Sequence, residues 1–311
     1  MPQNPIMTEW KSQNGDLWGE TPQCLAHRLH QHELFSNEAL GELIERYPRE
    51  HYSLVEWGAQ GRARSDWREG EISGLSGRDV IDAVSRSRVW INLRNAPAVD
   101  KRYAALLDEI FTEFEARIPG FRTLSRTMGI LVSSPNSRTV YHSDLPGQSL
   151  WQIRGSKRVY VYPAVKPFLR PEHVEGIALS GVEMNMPYEP WYDDYADVFD
   201  IEPGQMLHWP LNAPHRVDNH DCLNVSMTLE YFTDEIRRTH MVTVANGIMR
   251  TKLGVTPKSR EISGPSFWTK AVLQRALRNT TMVKRENKAR RKPSFRLDPS
   301  RPGAIVDLPA A

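Results

Sequence analysis

The stretch Thr139-Val140-Tyr141-His142-Ser143-Asp144 decides how this chain is read. His142 and Asp144 stand two residues apart, and alternate side chains of an extended strand share a face. An imidazole and a carboxylate at that spacing can hold one metal ion without bending the backbone. His215 offers a third donor, in Ala213-Pro214-His215-Arg216-Val217, behind the turn at Pro203-Gly204.

Outward from this stretch the texture is that of a β protein. Short apolar runs at 128–133, 149–153, 157–162, 205–209, 215–218 and 223–232 alternate with turn signals, the pattern of a sandwich or barrel. Gly155-Ser156 separates Leu150–Arg154 from Lys157–Tyr162 and reads as a two-residue hairpin with glycine leading. In that register Arg154 pairs with Lys157, Gln152 with Val159 and Leu150 with Val161. Leu150, Gln152, Lys157, Val159 and Val161 then share one face, with Trp151, Ile153, Arg158, Tyr160 and Tyr162 on the other.

The flanks read differently. Helices are expected at 37–44, with Asn37 as N-cap, at 76–84 and at about 100–118, where Tyr103, Leu106, Leu107, Ile110, Phe111 and Phe114 form one apolar stripe. Strands are expected at 51–55 and 89–93, with Asn92 on the second either reaching the cosubstrate or, as the preferred reading, satisfying backbone. His27, His30 and His32 read as packing or surface histidines. Residues 163–200 show little periodicity. They include the acidic-aromatic loop 188–200, expected either as a lid or as an insertion covering one end of the sheet. Further helices are expected over 234–250 and from Pro265. The organisation is therefore a mixed N-terminal region (1–122) packing on a β core (123–233), then C-terminal helices (234–282) and a basic, Pro-containing flexible tail (283–311).

Bulk properties narrow the class. The 311 residues are 40% hydrophobic and 25% charged, with a net charge of +2, the balance of a soluble globular protein. No apolar run reaches a membrane span, and the start has neither a basic n-region nor an apolar segment, so neither a membrane partner nor a secretory signal is expected and the cytoplasm is the default. Cys24 and Cys222 lack CxxC spacing, which argues against a disulfide framework or a zinc site.

Two histidines and one carboxylate with open positions is the donor set of non-haem Fe(II) oxygenases. The segment from His142 to Arg158, with its HxD, its Gln152-Ile153-Arg154-Gly155-Ser156-Lys157-Arg158 run and the later Pro203-Gly204 strand before His215, resembles the JmjC/cupin-like 2-oxoglutarate oxygenases. In pattern it is similar to the asparaginyl hydroxylase that acts on the hypoxia-inducible factor. The resemblance covers roughly residues 125–232 and implies a double-stranded β-helix, a jelly-roll of cupin type, mainly β with flanking helices. It implies Fe(II) held by His142, Asp144 and His215, with 2-oxoglutarate and dioxygen as cosubstrates. It also implies that Lys157 and Thr139 bind the distal carboxylate of 2-oxoglutarate and that Gln148 and Leu150 line the pocket. Strand parity alone puts Thr139 on the face opposite His142. The family's pocket asparagine on the last strand has no clear match in Ser226–Glu230.

The function expected is hydroxylation of a C–H bond, first of a protein side chain, with demethylation by the same chemistry. The alternatives are a small-molecule hydroxylase and a non-catalytic cupin-like regulatory or nucleic-acid-binding module. The basic run 284–292 suits nucleic acid, and the C-terminal helices suit a homodimer. His208 and His220 are expected to be structural.

Overall fold

The computed structural model describes residues 5–57, 67–72, 74–181, 186–277 and 292–309. In chain order they form α1 (Ser12–Asp16), β1 (Gln23–Ala26), α2 (Asn37–Glu45), β2 (Tyr52–Trp57), β3 (Trp67–Glu71), α3 (Gly77–Arg86), β4 (Val89–Leu93), α4 (Ala96–Val99) and α5 (Lys101–Arg117). Eight strands follow, interrupted by one helix: β5 (Ser125–Ser133), β6 (Arg138–His142), β7 (Gly147–Arg154), β8 (Lys157–Val161), α6 (Pro171–Ser180), β9 (Asp197–Ile201), β10 (Gln205–His208), β11 (His215–Asn219) and β12 (Asn224–Phe232). The chain closes with α7 (Asp234–Lys252), α8 (Gly264–Leu277), β13 (Phe295–Leu297) and β14 (Ile305–Asp307).

The eight central strands make a jelly-roll. One sheet runs β10-β7-β12-β5 and the facing sheet runs β6-β11-β8-β9. All pairings within this core are antiparallel. Consecutive strands from β5 to β8 alternate between the sheets, which makes this a double-stranded β-helix. Leu150, Val159, Val161, Leu207, Trp209 and Val217 meet between the sheets. The larger core lies on the other face of the β7 sheet, where Trp151, Met206 and Met227 pack against the stripe of α5.

The expected hairpin is not a hairpin. β7 has both edges taken, by β10 and β12, while β8 pairs with β11 and β9. Gly155-Ser156 is a corner that carries the chain from one sheet to the other. The two sets of side chains still separate as the register predicts, for a different reason: Leu150 and Lys157 face the interior from opposite walls. Gly155 sits at φ 70°, and a Cβ there would run into the Leu223 carbonyl, so the corner requires glycine.

The flanks add to the same layer. β1 extends the core sheet beyond β10, and β4, β2, β3, β13 and β14 extend it beyond β5. The tail expected to be flexible from 283 therefore supplies two strands within 292–309, because Phe295 fills the space over Gly70 and is fully buried. Residues 284–291 of the basic run lie outside the described residues. The N-cap of α2 is Ser36, whose Oγ accepts from the Ala39 N–H at 3.1 Å; Asn37 instead accepts from Arg154.

The aperiodic segment 163–200 holds α6 and β9, and neither was expected. α6 has proline in its first turn and Gly181 at φ 68° after its end. β9 is an edge strand whose sequence, Asp197-Val198-Phe199-Asp200-Ile201, buries only Ile201. The acidic-aromatic residues before it pack on the outside of the β8 sheet, where Tyr192 joins Tyr141, Tyr162 and Phe168. Asp193 ties them down by bonding Arg216 and Tyr162, both at 2.6 Å. They are fixed against the outer face of that sheet.

Candidate active site

His142 is the last residue of β6, and Asp144 lies beyond the strand in the following loop. Strand spacing alone therefore does not set their geometry. The loop is stitched to the turn before β11: Ser143 Oγ donates to the Asn212 carbonyl at 2.8 Å, and Asn212 Nδ2 donates to the Asp144 carbonyl at 2.6 Å. Asn212 takes φ 60°, a conformation asparagine tolerates better than most residues. Across the ladder His215, first residue of β11, pairs with His142.

These constraints bring three donors together. Asp144 Oδ2 lies 3.2 Å from His215 Nε2 and 3.9 Å from His142 Nε2. One ligand atom from each residue falls within 4.8 Å of the others, and all three residues are buried. The tautomers suit a metal. His142 Nδ1 bonds the Val140 carbonyl at 2.8 Å and His215 Nδ1 bonds the Ala213 carbonyl at 3.1 Å. Each Nδ1 therefore carries the proton, and each Nε2 lone pair points toward the carboxylate. Burial, reinforced by His215, pushes His142 down to about 4, so its imidazole is neutral at pH 7. Trp209 packs on His215 at 4.4 Å between ring centroids. The donor set and its proton arrangement fit a divalent transition metal.

Thr139 illustrates what parity misses. β11 pairs His215 with His142 but Val217 with Thr139, so two residues of β11 span three of β6. The extra residue is a β-bulge, which turns one residue's side chain to the other face. Thr139 and His142 consequently line the same pocket, while Tyr141 points outward into the aromatic cluster.

Lys157 lies deeper in this pocket, where β8 begins opposite Asn219 and Ile201. It is 4% exposed. Among the described residues it has no ion pair and no hydrogen bond, and burial pushes its amine down to about 7. A buried ammonium without an anion is costly, so this residue lacks a partner that a bound carboxylate would supply. The pocket, about 180 Å³, is lined by all seven residues singled out above: Thr139, His142, Asp144, Gln148, Leu150, Lys157 and His215.

Sequence reasoning missed part of the wall. On β4, Val89, Ile91 and Leu93 face the large core, while Trp90 and Asn92 face the pocket. Trp90 Nε1 and Asn92 Oδ1 are shielded from solvent and have no hydrogen-bond partner among the described residues. Asn92 is thus a pocket residue rather than a backbone support. The alternation of β4 was the available signal, but it does not say which face meets a ligand. Thr228 and Glu230 of β12 complete that wall. Trp90→Phe keeps the ring and removes the donor. It is expected to weaken a carboxylate ligand of this pocket about three- to tenfold, the scale of one lost hydrogen bond, with metal affinity unchanged by calorimetric titration.

The other histidines stay out of the site. His208 Nδ1 bonds the Gln148 carbonyl at 2.6 Å and its ring stacks on Trp18 at 3.8 Å. His220 pairs with Asp200 at 3.1 Å. His27 packs on Trp151.

A double-stranded β-helix with a buried two-histidine, one-carboxylate cluster where β6 ends and β11 begins is the class that fold and site define. No protein-family model and no curated protein matches the sequence. Solved structures do match. The X-ray structure of YcfD from Escherichia coli aligns with a TM-score of 0.50 at 15% identity, over 89% of this chain and 69% of that one. A second crystal structure, described as the Escherichia coli ribosomal oxygenase YcfD, aligns with a TM-score of 0.50 at 16% identity, over 90% and 69%. The likeness establishes the fold, and it does so through a ribosomal oxygenase rather than specifically through an asparaginyl hydroxylase.

Proposed function

We propose that this chain is an Fe(II)- and 2-oxoglutarate-dependent oxygenase that hydroxylates a C–H bond of a protein side chain. The observation that carries the reading is the unpaired, buried Lys157 in the same pocket as the three converging metal donors. Each half of that pair asks for one of the two things such an enzyme binds. The complete donor set argues against a non-catalytic module, and the matched fold, that of a ribosomal oxygenase, supports a protein substrate.

In this reading His142, Asp144 and His215 hold the iron, and their Nδ1–H bonds to backbone keep both rings in the ligating tautomer. Iron(II) supplies the redox chemistry that couples dioxygen and the decarboxylation of 2-oxoglutarate, to succinate and carbon dioxide, with insertion of oxygen into a C–H bond. Lys157 neutralises the distal carboxylate, with the Thr139 hydroxyl and the Trp90 N–H as further donors. That contact fixes the keto-acid end toward the metal donors and prepays its orientation. Leu150, Trp209 and Val217 keep the interior apolar and exclude water. Gln148 and Glu230, cross-strand partners on β7 and β12, face the pocket and are placed to meet the substrate.

Other features belong to the same proposal. No helix among the described residues is long and apolar enough to cross a membrane, and a cytoplasmic site of action accords with a ribosomal substrate class. A homodimer through the C-terminal helices is supported by α8, which exposes Trp268 and Val272 one turn apart. Nucleic-acid binding by the basic run rests on its composition alone.

Succinate formation tests the activity. The iron-loaded protein should convert 2-oxoglutarate to succinate only with dioxygen present, and ribosomal proteins should stimulate it with a mass gain of one oxygen. Stimulation by small metabolites and by no polypeptide would favour the small-molecule hydroxylase instead.

A further inference from the structure

Lys157 is reached through the Gly155-Ser156 corner, and that corner is clamped by a polar cluster that the proposed chemistry does not itself use. Gln152, Asn224 and Ser226 are fully buried. The Gln152 Nε2 group donates to the Arg154 carbonyl at 2.8 Å, the Gly155 carbonyl at 3.0 Å and Asn224 Oδ1 at 2.6 Å. Its Oε1 accepts from Ser226 Oγ at 2.8 Å. Asn224 Nδ2 in turn donates to the Cys222 carbonyl at 3.0 Å. From the β11–β12 turn, Cys222 Sγ accepts from the Ser156 N–H at 3.3 Å and the His220 N–H donates to the Ser156 carbonyl at 3.1 Å.

We propose that Gln152 is the positioning residue for Lys157: its carboxamide fixes the sheet-to-sheet corner so that the ammonium is held where the distal carboxylate of 2-oxoglutarate binds. This rests on the oxygenase reading and deepens it. The corner is the one link in this stretch that no strand ladder holds. β7 loses its regular pairing at its end, where the register to β12 shifts between Val225 and Ser226, and β8 begins only at Lys157. The Arg154 and Gly155 carbonyls point at the Gln152 amide, while the Ser156 carbonyl accepts from the His220 N–H. Ser226 fixes which end of the amide faces the first two, because its hydroxyl donates to Oε1 and leaves the two Nε2 hydrogens to be shared among the three acceptors.

Gln152→Leu keeps the volume and removes the clamp. The expected result is a KM for 2-oxoglutarate raised about tenfold or more, the scale on which residues orienting a ligand group act. At saturating 2-oxoglutarate, kcat should stay near wild type and Fe(II) affinity should not move. Ser226→Ala should shift the same KM in the same direction by less, and Ser226→Thr, which keeps the hydroxyl, should restore it. A merely structural role would lower melting temperature and iron affinity together without this split. An unchanged KM in Gln152→Leu, or equal loss of iron and 2-oxoglutarate affinity, overturns the proposal. Should Gln152→Leu not fold, the Ser226 pair decides, and an unchanged KM in Ser226→Ala overturns it. A wild-type protein that binds no 2-oxoglutarate overturns the oxygenase reading itself, whereas wild-type binding with unaffected variants overturns only the role of Gln152.

Discussion

Replacing His215 by alanine abolishes 2-oxoglutarate turnover and weakens Fe(II) binding by more than about a hundredfold, beyond the loss that follows removal of a residue merely supporting a ligand. The reason is geometric. His215 contributes the donor nearest Asp144, at 3.2 Å, and is the ladder partner of His142. Two remaining donors do not fix an ion in place. Calorimetric iron titration and succinate release measure the two losses. The fold should survive, because the β11 ladders to β6 and β8 do not depend on the imidazole. Wild-type iron affinity in a folded His215→Ala protein would remove this residue from the ligand set.

Lys157→Met should move two quantities in opposite directions. Affinity for 2-oxoglutarate falls by roughly a hundred- to several-thousand-fold, the equivalent of about 3–5 kcal/mol for one side of a buried ion pair. Stability of the ligand-free protein rises, because an unpaired buried ammonium is replaced by an apolar chain. The pH dependence fixes the sign. The amine is lowered from 10.5 in the unfolded chain to about 7 when folded. Below about 7 both states hold the proton and the folded state bears the full penalty. Between about 7 and 10.5 the unfolded chain alone holds it, so this residue's contribution to wild-type stability rises with pH. Above 10.5 the penalty is gone. Lys157→Met should therefore gain on the order of 3–5 kcal/mol near neutral pH and little at high pH. Binding shows the converse. A bound carboxylate keeps Lys157 protonated, so above pH 7 binding takes up a proton and the Kd for 2-oxoglutarate rises by about tenfold per pH unit. Urea denaturation across pH and titration of both proteins supply the measurements.

The jelly-roll was legible because its inward strands alternate: Leu150, Val159 and Val161 face in while Trp151 and Tyr160 face out. Which strands pair was not, because Gly155-Ser156 carries the same local signal for a hairpin and for a corner between sheets. Only the occupancy of β7 by two other strands decides between them. β9 escaped notice because its inward face, Asp197, Phe199 and Ile201, begins with a carboxylate and buries only Ile201, which leaves too short an apolar period to detect. His142, Asp144 and His215 could be read together from residue type and order. Thr139 could not be placed, since a one-residue bulge reverses its parity and leaves no mark in the sequence. Trp90 was missed for the complementary reason: its strand was recognised, but whether its outer face met solvent or a pocket depends on β6 of the facing sheet closing over it.

In the proposed function one pocket binds a metal through His142, Asp144 and His215 and a 2-oxo acid beside it. Anaerobic addition of Fe(II) and then 2-oxoglutarate, followed by visible absorption, tests it directly. The account predicts a metal-to-ligand charge-transfer band that saturates at one equivalent of each, disappears in the His142→Ala, Asp144→Ala double variant and requires far more 2-oxoglutarate in Lys157→Met. No band with the wild-type protein, or a band that persists in the double variant, would contradict it.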